Sequence, residues 1–187
     1  MISVPLEPLL GPVDILDTCG TGGSGLNPFN TSTAVAFICA AAGVYTAKHG
    51  NRAASSQSGS ADVLQALGVN ISSSDEIFLR CISQTKFGFL FAPSHHPAAR
   101  RVAPLRKKLG VRTIFNFLGP ILNPAHANLQ LLGVSNAAMQ RVIAEALLAL
   151  GTKRAFIVRG EDGLDEITLS GKTLIYRIEE GNLTTLE

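Results

Sequence analysis

The sequence predicts an α/β domain with a largely parallel central sheet, flanking helices and a C-terminal strand meander. Short apolar runs alternate with longer helical patterns from residue 13 to residue 160. After Gly160 the pattern changes to short segments separated by glycines. Strands that alternate with helices favour a parallel sheet, whereas consecutive short strands joined by glycine turns favour a meander. We expect residues 1–187 to form a single domain.

The first half of the chain contains three predicted strands and three predicted helices. The strands are short apolar runs at 13–19, 44–50 and 87–93. A helix over 31–43 begins at Ser/Thr cap candidates and ends at a glycine. A compact helix over 60–68 also ends at a glycine. A third helix, over 73–85, has an acidic first turn and apolar residues at helical spacing.

The second half continues the alternation. A helix is predicted over 97–110, with Pro104 as a candidate break, and an irregular rigid loop over 116–124. The next predicted elements are a strand over 129–134, the clearest amphipathic helix over 136–151 and a strand over 154–160. The strands of the meander are predicted at 166–171, 172–181 and 182–187.

Composition excludes several classes of protein. Apolar residues make up 46% of the chain and charged residues 16%, which indicates a globular protein. The longest apolar run, 34–44, is far shorter than the ~20 residues that span a bilayer. A net charge of +2 gives no argument for nucleic-acid binding, and three scattered cysteines indicate reduced thiols. We expect a cytoplasmic protein without membrane or nucleic-acid partners; a plastid location stays open if a transit peptide was removed.

Two polar stretches follow predicted strands. The first is GTGGSG at 20–25, where a strand, a glycine loop and a helix present backbone N–H groups to an anion. It matches neither the dinucleotide motif nor the P-loop, so a phosphate loop and a structural turn both stay open. In the second, Lys48, His49, Asn51 and Arg52 precede a serine-rich loop. This stretch suits an oxygen-rich anion, and an ordinary solvated loop is the alternative.

Two further clusters carry charge. Asp165 and Glu166 are adjacent carboxylates that suit Mg²⁺ shared with substrate phosphates, or else form a charged hairpin edge. The basic segment 100–112 suggests an arginine that grips a carboxylate, or a solvated helix face. His95 and His96 have no third ligand at suitable spacing, so we do not expect a metal there.

Six motifs in fixed order resemble those of the anthranilate phosphoribosyltransferases over nearly the whole chain. They are GTGG at 20–23, NTST at 30–33, KHGNRAASSQSGSADVLQALG at 48–68, FAPSHHPA at 91–98, RTIFNFLGPILNPA at 112–125 and GLDEIT at 163–168. The resemblance implies transfer of the 5-phosphoribosyl group from 5-phosphoribosyl 1-diphosphate (PRPP) to the amine of anthranilate. The products are N-(5-phosphoribosyl)anthranilate and diphosphate, in tryptophan biosynthesis, and Mg²⁺ accompanies PRPP.

The same resemblance implies roles for individual residues. Contacts to PRPP are implied for Gly20, Thr21, Gly22, Gly23, Asn30, Ser32, Thr33, Lys48 and Ser60. Contacts to anthranilate are implied for Gly20, His49, Asn51 and Arg106, with Arg106 on the carboxylate. Mg²⁺ ligands are implied at Ser32, Asp165 and Glu166. No general base is expected with confidence, and His49 is a minor candidate.

The chain departs from the family pattern in two ways. Ser24 stands where many members have aspartate after GTGG. The family's N-terminal helical domain and the C-terminal helices of its large domain are absent, so we expect a partial large domain, inactive alone, from a homodimeric parent. Comparable rates of anthranilate fluorescence loss for chain and parent would contradict this. The alternatives are a related protein with another acceptor or nucleic acid, and a pyrimidine nucleoside phosphorylase.

Overall fold

One mixed sheet forms the centre of the protein. The computed structural model describes residues 1–26, 29–53, 57–109 and 113–187, apart from the side chains at 100, 103, 106 and 107. The strands within it are β1 Ile15–Gly20, β2 Tyr45–Gly50, β3 Phe87–Phe91, β4 Leu129–Gly133, β5 Arg154–Gly160, β6 Thr173–Glu179 and β7 Asn182–Leu186. Their order is β3-β2-β1-β4-β5-β6-β7. The first five strands are parallel, and β6 and β7 are antiparallel, which confirms the predicted fold class and the C-terminal meander.

Helices connect the parallel strands. They are α1 Glu7–Leu10, α2 Thr31–Ala41, α3 Ser60–Ala66, α4 Asp75–Thr85, α5 Ala92–His95, α6 Pro97–Leu109, α7 Phe115–Ile121 and α8 Ala137–Ala149. The predicted helices at α2, α3, α4, α6 and α8 are confirmed. Helices α1 and α5 have four residues each, too few to show a periodic pattern. None of the helices in the described ranges is long and apolar enough to cross a membrane.

Three local predictions are wrong. The segment predicted as an irregular loop contains α7, which runs through Gly119 and Pro120. Pro104 lies inside α6 and does not end it. Residues 166–171 form turns rather than a strand, because Thr168 N–H bonds to the hydroxyl of Thr173 at 3.1 Å instead of to a neighbouring strand.

Packing on the sheet fixes these elements in place. Helix α8 buries Ile143 and Leu147 against Leu132 and Ile157 of the sheet. A second cluster joins α4 to β1, β2, β3 and the N-terminal segment. Burial of apolar side chains on both sides of the sheet makes its strand ends a rigid platform.

The strand order reverses between β1 and β4. From β1 the chain moves outwards to β2 and β3, whereas β4 and β5 lie on the other side of β1. In open α/β sheets, ligands bind at the carboxyl ends of the strands where such a reversal occurs. The fold therefore places the expected crevice directly after Gly20 and Gly133, which are paired at the ends of β1 and β4.

Candidate functional site

The glycine loop predicted at 20–25 lies at this reversal. The Thr21 N–H donates to the Gly133 carbonyl at 2.9 Å, so the loop stays attached to β4 as it leaves β1. Gly22 and Gly23 have φ values of 64° and 74°, a left-handed conformation that favours glycine. The Ser135 hydroxyl, just beyond β4, donates to the Gly22 carbonyl at 2.9 Å. Two adjacent strand ends therefore hold the loop.

Asp165 lies on this loop although it is far away in the sequence. The Gly22 N–H donates to the Asp165 Oδ2 at 2.9 Å, and Asp165 is only 8% exposed. A Cβ on Gly20 would lie 2.9 Å from that oxygen, and a Cβ on Gly133 would lie 1.7 Å from the Asp165 carbonyl oxygen. The two glycines that end β1 and β4 are therefore needed for this close approach.

The segment around the acidic pair is fixed by Asp162. Its Oδ1 accepts from the Leu164 N–H at 3.0 Å, and its Oδ2 accepts from the Thr168 hydroxyl at 2.6 Å. The Gly160 N–H also donates to the Leu164 carbonyl at 2.9 Å. These contacts lie on both sides of the acidic pair, so the backbone that presents it is firmly held.

Lys48 lies beneath the same site with 1% of its surface exposed. Its Nζ donates to the Thr18 carbonyl and to the Ser32 hydroxyl, the latter at 3.1 Å. Thr18 in turn donates through its hydroxyl to the Ser32 carbonyl at 2.7 Å. Burial lowers the pKa of Lys48, and the charge of buried Asp17 opposes that shift. The ammonium therefore fixes the start of α2 relative to β1.

Glu166 has the most unusual electrostatic environment of the described acids in this site. Burial first, and the charge of Asp165 second, raise its pKa to about 7. Lys48 and a hydrogen bond from the Ser32 backbone N–H act in the opposite direction. Two carboxylates crowded together and incompletely neutralised favour binding of a cation.

The donor set fits Mg²⁺ that is shared with a substrate. No group of three or more His, Cys, Asp or Glu side chains within the described ranges could enclose a metal. Mg²⁺ is usually held by one or two carboxylates together with waters and substrate phosphates, rather than by a complete protein cage. Asp165, Glu166 and the Ser32 hydroxyl are oxygen donors of the right kind for that incomplete shell.

The serine-rich loop meets the glycine side of the site through Asn30. The Asn30 Nδ2 donates to the Ser58 hydroxyl at 2.9 Å, so Asn30 does not cap α2 with its side chain. Asp62 organises the rest of the loop, since its Oδ2 accepts from Ala53 N–H and Gly59 N–H at 2.9 Å each.

Asn51, just after β2, lies next to Ser60, the first residue of α3. The Ser60 hydroxyl donates to the Asn51 carbonyl at 3.4 Å. The Asn51 side-chain oxygen accepts from the Arg52 N–H at 2.7 Å. The hydrogen bonds of Asn51 and Ser60 thus hold the loop itself, and their roles toward a ligand stay predictions.

His49 lies at the same strand end and pairs with His96. Its Nδ1 is 3.2 Å from the Gly119 carbonyl, which can only accept, so the proton lies on Nδ1. Its Nε2, 3.2 Å from the His96 Nε2, must then accept from His96. Burial and the neighbouring His96 lower the pKa of His49 to about 3. This arrangement engages the nitrogen that a general base would use.

Thr33 and Arg106 complete the set of predicted residues. Thr33 is buried, and its hydroxyl has no hydrogen-bond partner in the described part of the chain. Arg106 belongs to α6, but its side chain lies outside the described residues. The structure thus brings together the glycine loop, Ser32, Lys48 and the acidic pair. Roles toward a ligand stay predictions for all of these residues.

Three residues of the site were not predicted. Gly133 ends an apolar strand and Ser135 follows that strand, so the strand-end rule that selected Lys48 and Asn51 would also have selected them. A glycine inside such a run is a further signal of close backbone approach. His96 has no such local signal, because its contact with His49 depends on how α5 meets β2.

Known proteins share this sequence and fold. A protein of Herpetosiphon aurantiacus named anthranilate phosphoribosyltransferase is 53% identical over 167 residues, which cover 89% of this chain and 49% of that protein. The crystal structure of the Thermus thermophilus anthranilate phosphoribosyltransferase is 48% identical with a TM-score of 0.84, covering 92% of this chain and 51% of the other. The Saccharomyces cerevisiae enzyme in complex with PRPP and Mg is 37% identical with a TM-score of 0.83, covering 93% and 48%.

These likenesses confirm the resemblance found in the sequence motifs. The chain spans about half the length of the curated relatives it matches. A family model described as "Glycosyl transferase family, a/b domain" matches residues 12–187, from just before β1 to the end of β7. On that match, which includes the sheet reversal and both loops of the site, the chain belongs to the glycosyl transferase family as its a/b domain.

Proposed function

We propose that this chain forms the PRPP and Mg²⁺ site of an anthranilate phosphoribosyltransferase of tryptophan biosynthesis. The observation that carries the proposal is that the glycine loop, Lys48 and the acidic pair lie together at one strand reversal. The 2.9 Å contact between the Gly22 N–H and the Asp165 carboxylate joins the loop to the pair. The names of relatives at about half identity and the PRPP–Mg complex of the yeast protein support it.

The proposed reaction moves the 5-phosphoribosyl group from PRPP to the anthranilate amine and releases diphosphate. The leaving diphosphate lies against the amides of the glycine loop and the start of α2, where Lys48 and Ser32 adjoin. Backbone N–H groups fixed at a strand end would stabilise negative charge as it develops. Bound Mg²⁺, held by Asp165, Glu166 and Ser32, would supply charge neutralisation for the diphosphate.

The acceptor side is assigned to Gly20, His49, Asn51 and Arg106. The His49–His96 pair makes a fixed, uncharged wall at this end of β2, which suits the aromatic ring of anthranilate. Arg106 would hold the anthranilate carboxylate. No residue is needed to remove a proton before attack, because the aniline nitrogen can lose its proton afterwards. We further infer a cytoplasmic, homodimeric full-length parent without nucleic-acid or membrane partners.

Calorimetric titration of PRPP into this chain, with and without Mg²⁺, tests the site. We expect binding that requires Mg²⁺, and at least a tenfold loss of affinity in Asp165→Asn. The exposed acid Glu180 provides a matched control, and Glu180→Gln should bind as the wild type does. An absence of PRPP binding at every Mg²⁺ concentration would refute the proposed function.

Arg106→Ala tests the acceptor assignment in the full-length parent. Loss of one charged hydrogen bond typically costs ~1.5–3 kcal/mol, so the apparent KM for anthranilate should rise about 10-fold or more. The affinity for PRPP should stay nearly unchanged. If the affinity for PRPP collapsed instead, the assignment of Arg106 would be wrong.

A further inference from the structure

Asp165 of the acidic pair is bonded to an amide of the glycine loop, which is assigned to the diphosphate. Asp165 Oδ2 accepts the Gly22 N–H at 2.9 Å, in the centre of the glycine loop. Glu166 follows directly in the chain, and the Ser32 backbone N–H at the start of α2 lowers its pKa. The glycine loop, which is predicted to hold an anion, is therefore bonded to a carboxylate of the same protein.

We propose that Asp165 is a placeholder for the diphosphate. When PRPP and Mg²⁺ bind together, the Asp165 carboxylate moves from the Gly22 N–H to the metal ion. This inference rests on the proposed function. A carboxylate resembles a phosphate group in charge and in its acceptor oxygens, so it is the natural internal substitute for one. The exchange makes the glycine loop select metal-bound diphosphate over free anions.

The surrounding geometry restricts this exchange to the Asp165 side chain. The backbone carbonyl of Asp165 is packed against Gly133, and a Cβ on Gly133 would lie 1.7 Å from the carbonyl oxygen. Asp162 holds the backbone on both sides of the pair through Leu164 and Thr168. A movement of the whole segment would break these contacts, whereas a rotation of one side chain breaks only the contact with Gly22.

The electrostatics of the pair give the exchange its direction. Asp165 and Glu166 repel each other, and Asp165 is only 8% exposed. An anion without a metal must compete with the Asp165 carboxylate for the Gly22 N–H. With a metal ion bound, the Asp165 carboxylate would turn from Gly22 to the metal, and that N–H would be available to a phosphate oxygen. The same residue thus opposes metal-free diphosphate and favours the metal complex.

Two variants of Asp165 separate this placeholder role from simple charge repulsion. Asp165→Asn removes the charge but keeps an acceptor oxygen for Gly22, whereas Asp165→Ala removes both. Inorganic pyrophosphate in EDTA is titrated into each variant by calorimetry, after circular dichroism has shown that the variant is folded. Loss of one hydrogen-bonded competitor predicts about fivefold tighter binding in Asp165→Ala than in Asp165→Asn. With excess Mg²⁺, the wild type should bind pyrophosphate most tightly.

The Gly22 amide resonance in a ¹⁵N–¹H correlation spectrum provides the second measurement, on the wild-type protein. It should shift strongly with Mg²⁺ plus pyrophosphate and little with pyrophosphate in EDTA. Equal metal-free affinities for the two variants, or equal shifts under both conditions, would overturn the placeholder while leaving the proposed function intact. If the wild type bound no pyrophosphate even with Mg²⁺, both the site and the placeholder would fall.

Discussion

Replacing Glu166 by glutamine should stabilise the metal-free protein at alkaline pH. The carboxyl group of Glu166 is partly buried beside Asp165, and its pKa rises from 4.5 to about 7. Glutamine has the same shape, carries no charge and keeps an acceptor for the Ser32 N–H. The substitution therefore removes the unfavourable charge without opening a cavity.

The direction follows from proton linkage. Between pH 4.5 and pH 7, the folded protein holds more protons at Glu166 than the unfolded chain does, so stability falls as the pH rises through this window. The destabilisation is complete above pH 7 and absent below pH 4.5. The rise in pKa corresponds to roughly 3 kcal/mol, of which the partial exposure of Glu166 leaves about 1.5–3 kcal/mol. For a chain of this size that is roughly 3–12 °C in Tm.

Thermal melts of Glu166→Gln and wild type at pH 5 and pH 8 measure this effect. The variant should melt higher at pH 8, and the difference should shrink at pH 5. Glu180→Gln, an exposed control, should match the wild type at both values. Excess Mg²⁺ with pyrophosphate should raise the Tm of the wild type at pH 8 more than that of the variant. A difference that is the same at both pH values, or a variant that melts lower at pH 8, would refute the reasoning.

Three further substitutions test the packing of the site. Gly133→Ala should lower the free energy of unfolding by about 2 kcal/mol or more, because its Cβ would meet the Asp165 carbonyl at 1.7 Å. Gly119→Ala is the control: nothing lies within 4 Å of its Cβ, so the Tm should stay nearly unchanged. Asp162→Ala should lower the free energy of unfolding by about 1–2 kcal/mol and weaken the binding of Mg²⁺ with pyrophosphate measured by calorimetry. An unaltered isotherm would count against a role of Asp162 in presenting the acidic pair. Lys48→Met should lower stability in urea by about 1–3 kcal/mol, because the buried Thr18 carbonyl would lose its hydrogen bond, and an unchanged urea midpoint would disprove that role.

The sheet could be predicted from the sequence because its signals are local. The apolar runs of β1, β2 and β4 each end in glycine or polar residues, and the helices between them have start and stop residues. The strand order could not be predicted, since it depends on which side of β1 the later strands join. From the sequence alone, the glycine loop after β1 was therefore open to two interpretations, a phosphate loop and a structural turn. Its neighbour across the crevice, Asp165, is visible only in the fold.

The missed features are all tertiary. Helix α7 contains a glycine and a proline, and local propensity opposes a helix there. The contact of Gly133 with Asp165 joins residues 32 positions apart and depends on the turn that Asp162 fixes. The adjacency of Asp165 and Glu166 was visible in the sequence, but only the fold shows that Asp165 accepts the Gly22 N–H of the glycine loop.

The site holds an electrostatic conflict that a ligand would relieve. Lys48 is the buried cation beneath the acidic pair, yet its Nζ is bonded to Thr18 and Ser32. Its charge is also partly balanced by that of Asp17. It lowers the pKa of Glu166 only in part, so the pair keeps an uncompensated charge. A cation that brings its own phosphate oxygens neutralises the pair and, at the same time, fills the backbone N–H groups that the pair gives up. The charge repulsion between Asp165 and Glu166 thus destabilises the metal-free protein, and binding of metal and diphosphate together removes that repulsion.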